Sequence, residues 1–520
     1  MSQVATHSSP RILVNTGVSA MYDKEAKILI VGSGVFGLSA AYHLVQNGYK
    51  NIHIFDRNNY DETKYHPLLG SDSASGDINK FFRVYYETKS LYSKLAVEAL
   101  DVWERWNEEI QQLPEADKAR FVDDDLELIR LSGGLRISDT PEMAPVEKEN
   151  LEGFERLGLR ATQFDVNSDE DLLRAKLLGL HRKLAVVRDL QQRGKISTVS
   201  GTLDGIGRML KADKACFYVK ILLEHAGVKF YYGEQGAFRD KIPAGDAIGG
   251  ITTADGQRHT ADLVIVSAGP WSESLVPQLQ QRIHASLANI LYLEIPRTRQ
   301  DLIDKYSEYP HFQWKTTSSE HDRNKNHDVG EGGFAFFPPT KKEGILKVNT
   351  RQRKYLNPER VGDRYVSVPK TLGDERLPRS VVEEAKEIFM AVAPDVVRLP
   401  GVKLKTKLLW YTDAINSDFV IDFVPGYQNL IVATGGSSHA FKFLPVLGKT
   451  VVDRVLGREN EYTELFRWKD PQDIKVDNYL LKEEHIERDE KRRFDTAVLC
   501  TDADLEFSTS DLERLDHVTI

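Results

Sequence analysis

Lys27–Asp56 reads KILIVGSGVFGLSAAYHLVQNGYKNIHIFD. Its opening, KILIV, is short, apolar and β-branched, the pattern of a buried strand. Gly32-Ser33-Gly34-Val35-Phe36-Gly37 follows at once, and Leu38 to Gly48 then reads as a helix stopped by glycine. Asn51 to Phe55 is a second strand, closed by Asp56. Strand, glycine turn, helix and strand make one βαβ unit, which requires a parallel sheet covered by helices. Gly32 permits the tight turn, Gly34 lets the backbone approach a pyrophosphate, and Gly37 lets the helix lie close to the strand. Helix N–H groups would hold phosphate, and Asp56, at the end of the second strand, would accept hydrogen bonds from ribose hydroxyls. This spacing reads as a dinucleotide site without separating FAD from NAD.

Outward from this unit, Ser90 to Glu109 reads as a helix, Glu127 to Leu131 as a strand-like piece, Gly201 to His225 as a helix, and Val228 to Tyr232 as a strand. Asp262 to Val266 is another buried strand, ending in Ser267-Ala268-Gly269-Pro270-Trp271. Leu430 to Thr434 is the last, ending at Gly435-Gly436 and leading to a helix from about Pro445 to Leu456. The fold class expected is α/β: a Rossmann-type dinucleotide domain interleaved with an α+β substrate domain on an antiparallel sheet. The expected division gives residues 26–110, 195–284 and 403–460 to the first domain and 111–194 and 285–402 to the second. Residues 1–25 read as a polar arm, and 461–520 as a charged extension in which KEEHIERDEKRR, Lys482 to Arg493, is a solvated helix or disordered tail.

The 520 residues carry a formal net charge of −9, which disfavours nucleic acid as a partner. Two cysteines, Cys216 and Cys500, are too few for a disulfide framework or a cysteine-rich metal site, and no metal cluster is visible in the sequence. The first residues lack a signal-peptide pattern, the apolar stretch Ile28 to Val45 is too broken to span a membrane, and the last residues are not a peroxisomal Ser-Lys-Leu. A cytoplasmic monomer is expected.

Four segments resemble the FAD-dependent amine oxidases of the glycine/D-amino-acid oxidase group, the family of monomeric sarcosine oxidase, fructosyl amino acid oxidases and saccharopine oxidase. They are Lys27–Arg57, SASGDINKFFR (Ser73–Arg83), DLVIVSAGPW (Asp262–Trp271), and Lys407–Gly448 with its LLWYTDA and GGSSHAFKF runs. The resemblance implies FAD, held by Gly32, Ser33, Gly34, Val35, Phe36, Gly37, Asp56, Arg57, Gly269, Gly435, Gly436 and Lys442. It implies oxidation of a C–N bond: a hydride equivalent passes to flavin, the imine hydrolyses, and dioxygen takes the electrons to give peroxide. Arg83 would hold a substrate carboxylate, and Lys442 would do the same or sit close to the flavin. Lys80 and His439 would face the flavin from two sides, and Tyr411 would shape the amine pocket. The helix after Gly436 would aim its dipole at reduced flavin. Lys347, in GGFAFFPPTKKEGILK (Gly332–Lys347), would supply the positive charge that oxygen reduction needs, with Lys341 and Lys342 as turn residues nearby. His439 reads equally as a backbone-bonded histidine, and Tyr411 as ordinary core. Trp103 and Trp106 read as core, and Asp422 as structural.

The sequence departs from the family at two points. Covalent-flavin members carry cysteine where Leu409 stands, so noncovalent FAD is expected. Arg351 replaces the glutamate that meets the sugar amine in fructosyl amino acid oxidases, which favours a substrate carboxylate there. The expected substrate is therefore a secondary amine or N-substituted amino acid, saccharopine-, pipecolate- or sarcosine-like or an intermediate of specialised metabolism. A flavin dehydrogenase with another acceptor, and a flavin-binding interaction protein that has lost catalysis, are the alternatives.

Overall fold

Ile28–Val31 is buried at all four residues and lies between two parallel neighbours, with Ile28 opposite both Leu263 and Ile52. Apolar β-branched residues suit such a position because both faces are covered by helices or loops. The computed structural model describes residues 22–86, 89–315, 333–350, 354–371, 376–474, 492–515 and 517. The sheet built around this strand runs Val420–Phe423, Leu430–Thr434, Leu263–Val266, Ile28–Val31, Ile52–Asp56, Lys229–Tyr232. All neighbours are parallel except the edge strand Val420–Phe423, which pairs antiparallel with Leu430–Thr434. Early, middle and late segments of the chain thus share one sheet. The helix Val35–Gln46 covers one face and packs on Gly448–Val455. Gly448 is required there: a Cβ on it would stand 1.9 Å from the Ser39 carbonyl oxygen. Its N–H donates to Ser39 Oγ at 2.8 Å.

The second sheet has eight strands, in the order Leu404–Thr406, Ile290–Glu294, Ile345–Thr350, Gly333–Phe337, His311–Lys315, Gly134–Ser138, Ser200–Asp204, Gln163–Asp165. It is mixed rather than purely antiparallel, since His311–Lys315 runs parallel to Gly134–Ser138. A three-stranded sheet, Lys80–Phe82, Arg208–Leu210 and Ile129–Leu131, carries Lys80.

The helix Ser90–Glu109 has the bounds its periodicity predicts, with Trp103 and Trp106 fully buried. The region 201–225 differs. Ser200–Asp204 and Arg208–Leu210 are strands, and the helix begins only at Ala212. Gly201, Gly205 and Gly207 break helical continuity, and a Cβ on Gly201 (φ +143°) would lie 2.0 Å from the Arg136 carbonyl oxygen across the strand pair. Ser200–Asp204 consequently lies in the eight-stranded sheet, although the sequence places 195–284 with the dinucleotide unit.

The charged C-terminal extension is docked on the second sheet over its described residues 492–515. Leu356 N–H donates to Arg492 O at 2.7 Å, and Phe494 N–H returns a bond to Leu356 O at 2.7 Å. Cys500 N–H donates to Leu377 O. Phe494, Cys500 and Leu515 are buried in the core beneath the eight-stranded sheet, and Phe494 meets Trp410 edge to face. Burial of these few apolar side chains outweighs the solvation of their charged neighbours. Of KEEHIERDEKRR, only Arg492 and Arg493 are described.

Candidate active site

A cavity of about 1070 Å³ runs between the two sheets and is lined by residues of the dinucleotide turn, of the Lys80 strand, of the eight-stranded sheet and of the Gly436–Lys442 turn. Its first part is made of backbone. Gly32 has φ +107°, and a Cβ on it would lie 2.3 Å from the Ser267 carbonyl oxygen. On Gly37 a Cβ would lie 1.9 Å from Gly32 O, so helix and strand approach this closely only with glycine. Gly34, in extended conformation, precedes the helix, and Val35 N–H donates to Ser75 Oγ at 2.9 Å. Asp56 accepts from Ser33 N–H at 2.8 Å and Asn58 N–H at 2.9 Å. Burial nevertheless pushes its carboxyl up to about 6 against the pull of those donors. Arg57 stacks on Trp271 and donates to Asp72 at 2.6 Å. Gly269 and Gly436 line the same cavity. A glycine-flanked helix N-terminus, with Ser75 Oγ on its Val35 N–H, and an acidic strand end fit the pyrophosphate and ribose of FAD.

The remainder is made of side chains, and its centre is a residue the sequence reading missed. Asp77, fully buried, takes Lys80 Nζ at 2.7 Å and Lys347 Nζ at 2.9 Å on one oxygen, Oδ2. Its other oxygen accepts from Tyr292 O–H at 3.0 Å and from Ile78 N–H at 2.8 Å. The two ammonium groups hold the Asp77 carboxyl below the usual carboxylate range despite burial. Lys347 also donates to Asn79 O and lies 3.8 Å from the centroid of Phe337. Burial brings its ammonium down to about 8, against the pull of Asp77. Two cations on one anion leave a single net positive charge at the cavity wall. Lys341 and Lys342 are exposed turn residues, paired with Glu308 and Asp124.

Arg83 and Lys442 meet at Tyr86: the guanidinium lies 4.8 Å and the ammonium 4.7 Å from its ring centroid. Lys442 Nζ donates to Arg83 O at 3.4 Å, and the buried Trp103 indole N–H donates to Lys442 O at 2.7 Å. Trp103 is core, as expected, yet it also fixes the backbone of a cavity residue. The Tyr86 hydroxyl pairs with His439 Nδ1 at 3.2 Å, while Nε2 pairs with Ser417 O at 2.9 Å. A carbonyl only accepts, so the Nε2 proton donates to Ser417 and Nδ1 accepts from Tyr86. Burial takes the imidazole down to about 3, which makes it neutral. Tyr411 lines the cavity with the Lys354 ammonium 5.1 Å from its ring centroid, and burial raises its hydroxyl.

Gly435 (φ +78°) is followed by Ser437 (φ +45°) and Ser438 (φ +62°), both in the left-handed region. A 3-10 turn, Phe441–Phe443, comes next, and the regular helix starts only at Gly448. The helix expected from about Pro445 to Leu456 is Gly448–Val455, and its first residue does not line the cavity. Lys442 supplies the positive charge of this turn. Leu409 is buried and lines the cavity, whereas neither Cys216 nor Cys500 does. Asp422 binds Arg454 and the Trp468 N–H, a structural role as expected. Arg351 lies outside the described residues. Among the described residues no helix is long and apolar enough to cross a membrane.

The family described as "FAD dependent oxidoreductase" (DAO) matches residues 27–454. The chain is 26% identical to the L-saccharopine oxidase of Schizosaccharomyces pombe over 460 residues, covering 85% of this chain and 93% of that protein. It is 24% identical to an amino acid oxidase of Aspergillus flavus, covering 83% and 93%. Among solved structures, a modified fructosyl peptide oxidase from Aspergillus nidulans superposes with TM-score 0.64 at 25% identity, covering 85% and 93%. Amadoriase II of Aspergillus fumigatus superposes with TM-score 0.65 at 20% identity, covering 88% and 94%.

Proposed function

The chain belongs to the family of FAD dependent oxidoreductases, and from that premise we propose that it oxidises the C–N bond of an N-substituted amino acid, with dioxygen as electron acceptor. The observation that carries this reading is the gathering of Arg83 and Lys442 on one tyrosine ring in the cavity that also holds the glycine fingerprint. Bound FAD supplies a hydride acceptor; the protein supplies position and charge. Arg83 and Lys442 bind the substrate carboxylate, which orients the amine-bearing carbon. His439 is a positioning residue: neutral and bonded through both nitrogens, it fixes Tyr86, on which those two cations rest. Tyr411 closes the amine pocket. Names of relatives fit this class, since one acts on saccharopine and another on an amino acid.

The Lys80–Asp77–Lys347 group would hold one net positive charge at the wall of the cavity that FAD would fill, where positive charge favours the anion formed when dioxygen is reduced. Above pH about 8 Lys347 loses its proton and the group becomes neutral. Leu409 offers no nucleophile and both cysteines lie off the cavity, which supports noncovalent FAD. The colour should leave the protein on acid precipitation.

Rapid-mixing kinetics on wild type and Lys347→Met separate the two half-reactions. The variant should reoxidise in air about 100-fold more slowly, with anaerobic reduction by an N-substituted amino acid unchanged. Unchanged reoxidation overturns the role of Lys347. Reduction by none of a panel of N-alkyl and N-carboxyalkyl amino acids overturns the substrate class.

A further inference from the structure

Behind Asp77, three segments bring His66, Asp213 and Glu343 together. His66 follows the short helix Tyr60–Thr63, Asp213 lies in the first turn of Ala212–His225, and Glu343 lies in the turn between Gly333–Phe337 and Ile345–Thr350. One ligand atom from each lies within 4.8 Å of the other two. The residues are 6%, 1% and 5% exposed. His66 Nδ1, Asp213 Oδ2 and Glu343 Oε1 are all buried, and none has a hydrogen-bond partner among the described residues. Orphaned buried polar atoms are costly, and each of these three clustered residues carries one.

The surrounding charges show what is missing. Lys211 pairs with the second oxygen of Glu343, and Lys214 pairs with Asp123. Asp213 Oδ1 accepts from the Lys214 N–H at 2.8 Å, and two lysines against Glu343, Asp123 and Asp213 leave one negative charge in excess. A proton satisfies at most two of the three atoms. One metal ion satisfies all three.

We propose that His66, Asp213 and Glu343 bind one divalent first-row metal ion of the zinc class. An imidazole with two carboxylates is a donor set for such an ion, with water as the fourth ligand. Bonds of about 2.0–2.2 Å bring the ligand atoms closer than their present separation by about 1 Å, a shift within reach of side-chain rotation. The ion would fasten the helix Ala212–His225 to the turn that leads to Lys347. Asp213 N–H also donates to Asp77 O at 2.9 Å, so the metal would stiffen both partners of the Asp77–Lys347 pair. Its role is structural, and it takes no part in electron transfer.

The test uses the flavin-loaded enzyme, treated with dipicolinate, incubated with zinc chloride, desalted, and assayed for retained metal and melting temperature. The expected result is one zinc per chain and a melting temperature raised by zinc, with both lost in His66→Ala and Asp213→Asn that still bind flavin. No retained zinc in wild type overturns the proposal, and so does equal retention in His66→Ala, which means adventitious surface binding. Should both variants fail to fold, the zinc-edge absorption spectrum of wild type decides. One imidazole with oxygen ligands supports the site, and a shell of several imidazoles refutes it.

Discussion

The two parts of the cavity are built by different means. Where Gly32 and Gly37 lie, the wall is main chain: its specificity comes from how closely backbone approaches backbone, at 2.3 Å and 1.9 Å for the missing Cβ atoms of the two glycines. Around Asp77 the wall is side chain, and one carboxylate oxygen from the segment 73–83 organises lysines from two different sheets. A backbone-built part tolerates no added atom. A side-chain-built part depends on keeping every charge partnered.

That contrast is broken most severely by Gly32→Val. A branched residue at φ +107° facing Ser267 O cannot be accommodated. FAD should be absent from the purified protein even after incubation with excess cofactor, read from the visible spectrum; a normal flavin content would show the backbone contact to be dispensable. Asp77→Asn attacks the other part. It leaves two cavity lysines without their shared anion, and should lower unfolding free energy by about 3–5 kcal/mol in urea with the flavin still bound. A loss below about 1 kcal/mol would mean that solvent already satisfies these charges.

The smallest effect sharpens the account of Lys347. Its folded-state pKa, about 8, lies below the ordinary 10.5. Between those values the unfolded chain holds the proton and the folded chain does not, so stability attributable to this group rises with pH across that window. Comparing wild type with Lys347→Met at pH 8 and 10, wild type should gain about 1–3 kcal/mol relative to the variant. An equal response of the two proteins would place the proton elsewhere.

These differences also explain what can be read from sequence. The fingerprint and Asp56 are legible because the backbone part is local: strand, turn, helix and strand follow one another without a break from Lys27 to Asp56. Lys80, Arg83 and Lys442 are legible only through motif resemblance. Asp77, just ahead of Lys80, carries no mark that Lys347 will arrive from another sheet. Tyr86 looks like one aromatic among many, although it seats both Arg83 and Lys442. The docking of residues 492–515 is not legible because Phe494, Cys500 and Leu515 are sparse among charges, and periodicity does not reveal a segment that docks through isolated anchors. At 201–225 the apolar content of the true helix invites a reading that runs backwards across three glycines.

The six-stranded sheet has a consequence in time. Val264 pairs with Leu430, and Ile28 with Leu263, so the strand that founds the sheet waits for partners made much later. At about 5–20 residues per second on a ribosome, the stretch of roughly 400 residues between Val31 and Leu430 takes about 20–80 s. For the later part of that interval Leu263–Val266 carries an unpaired apolar edge, which makes the nascent chain a natural client for chaperones.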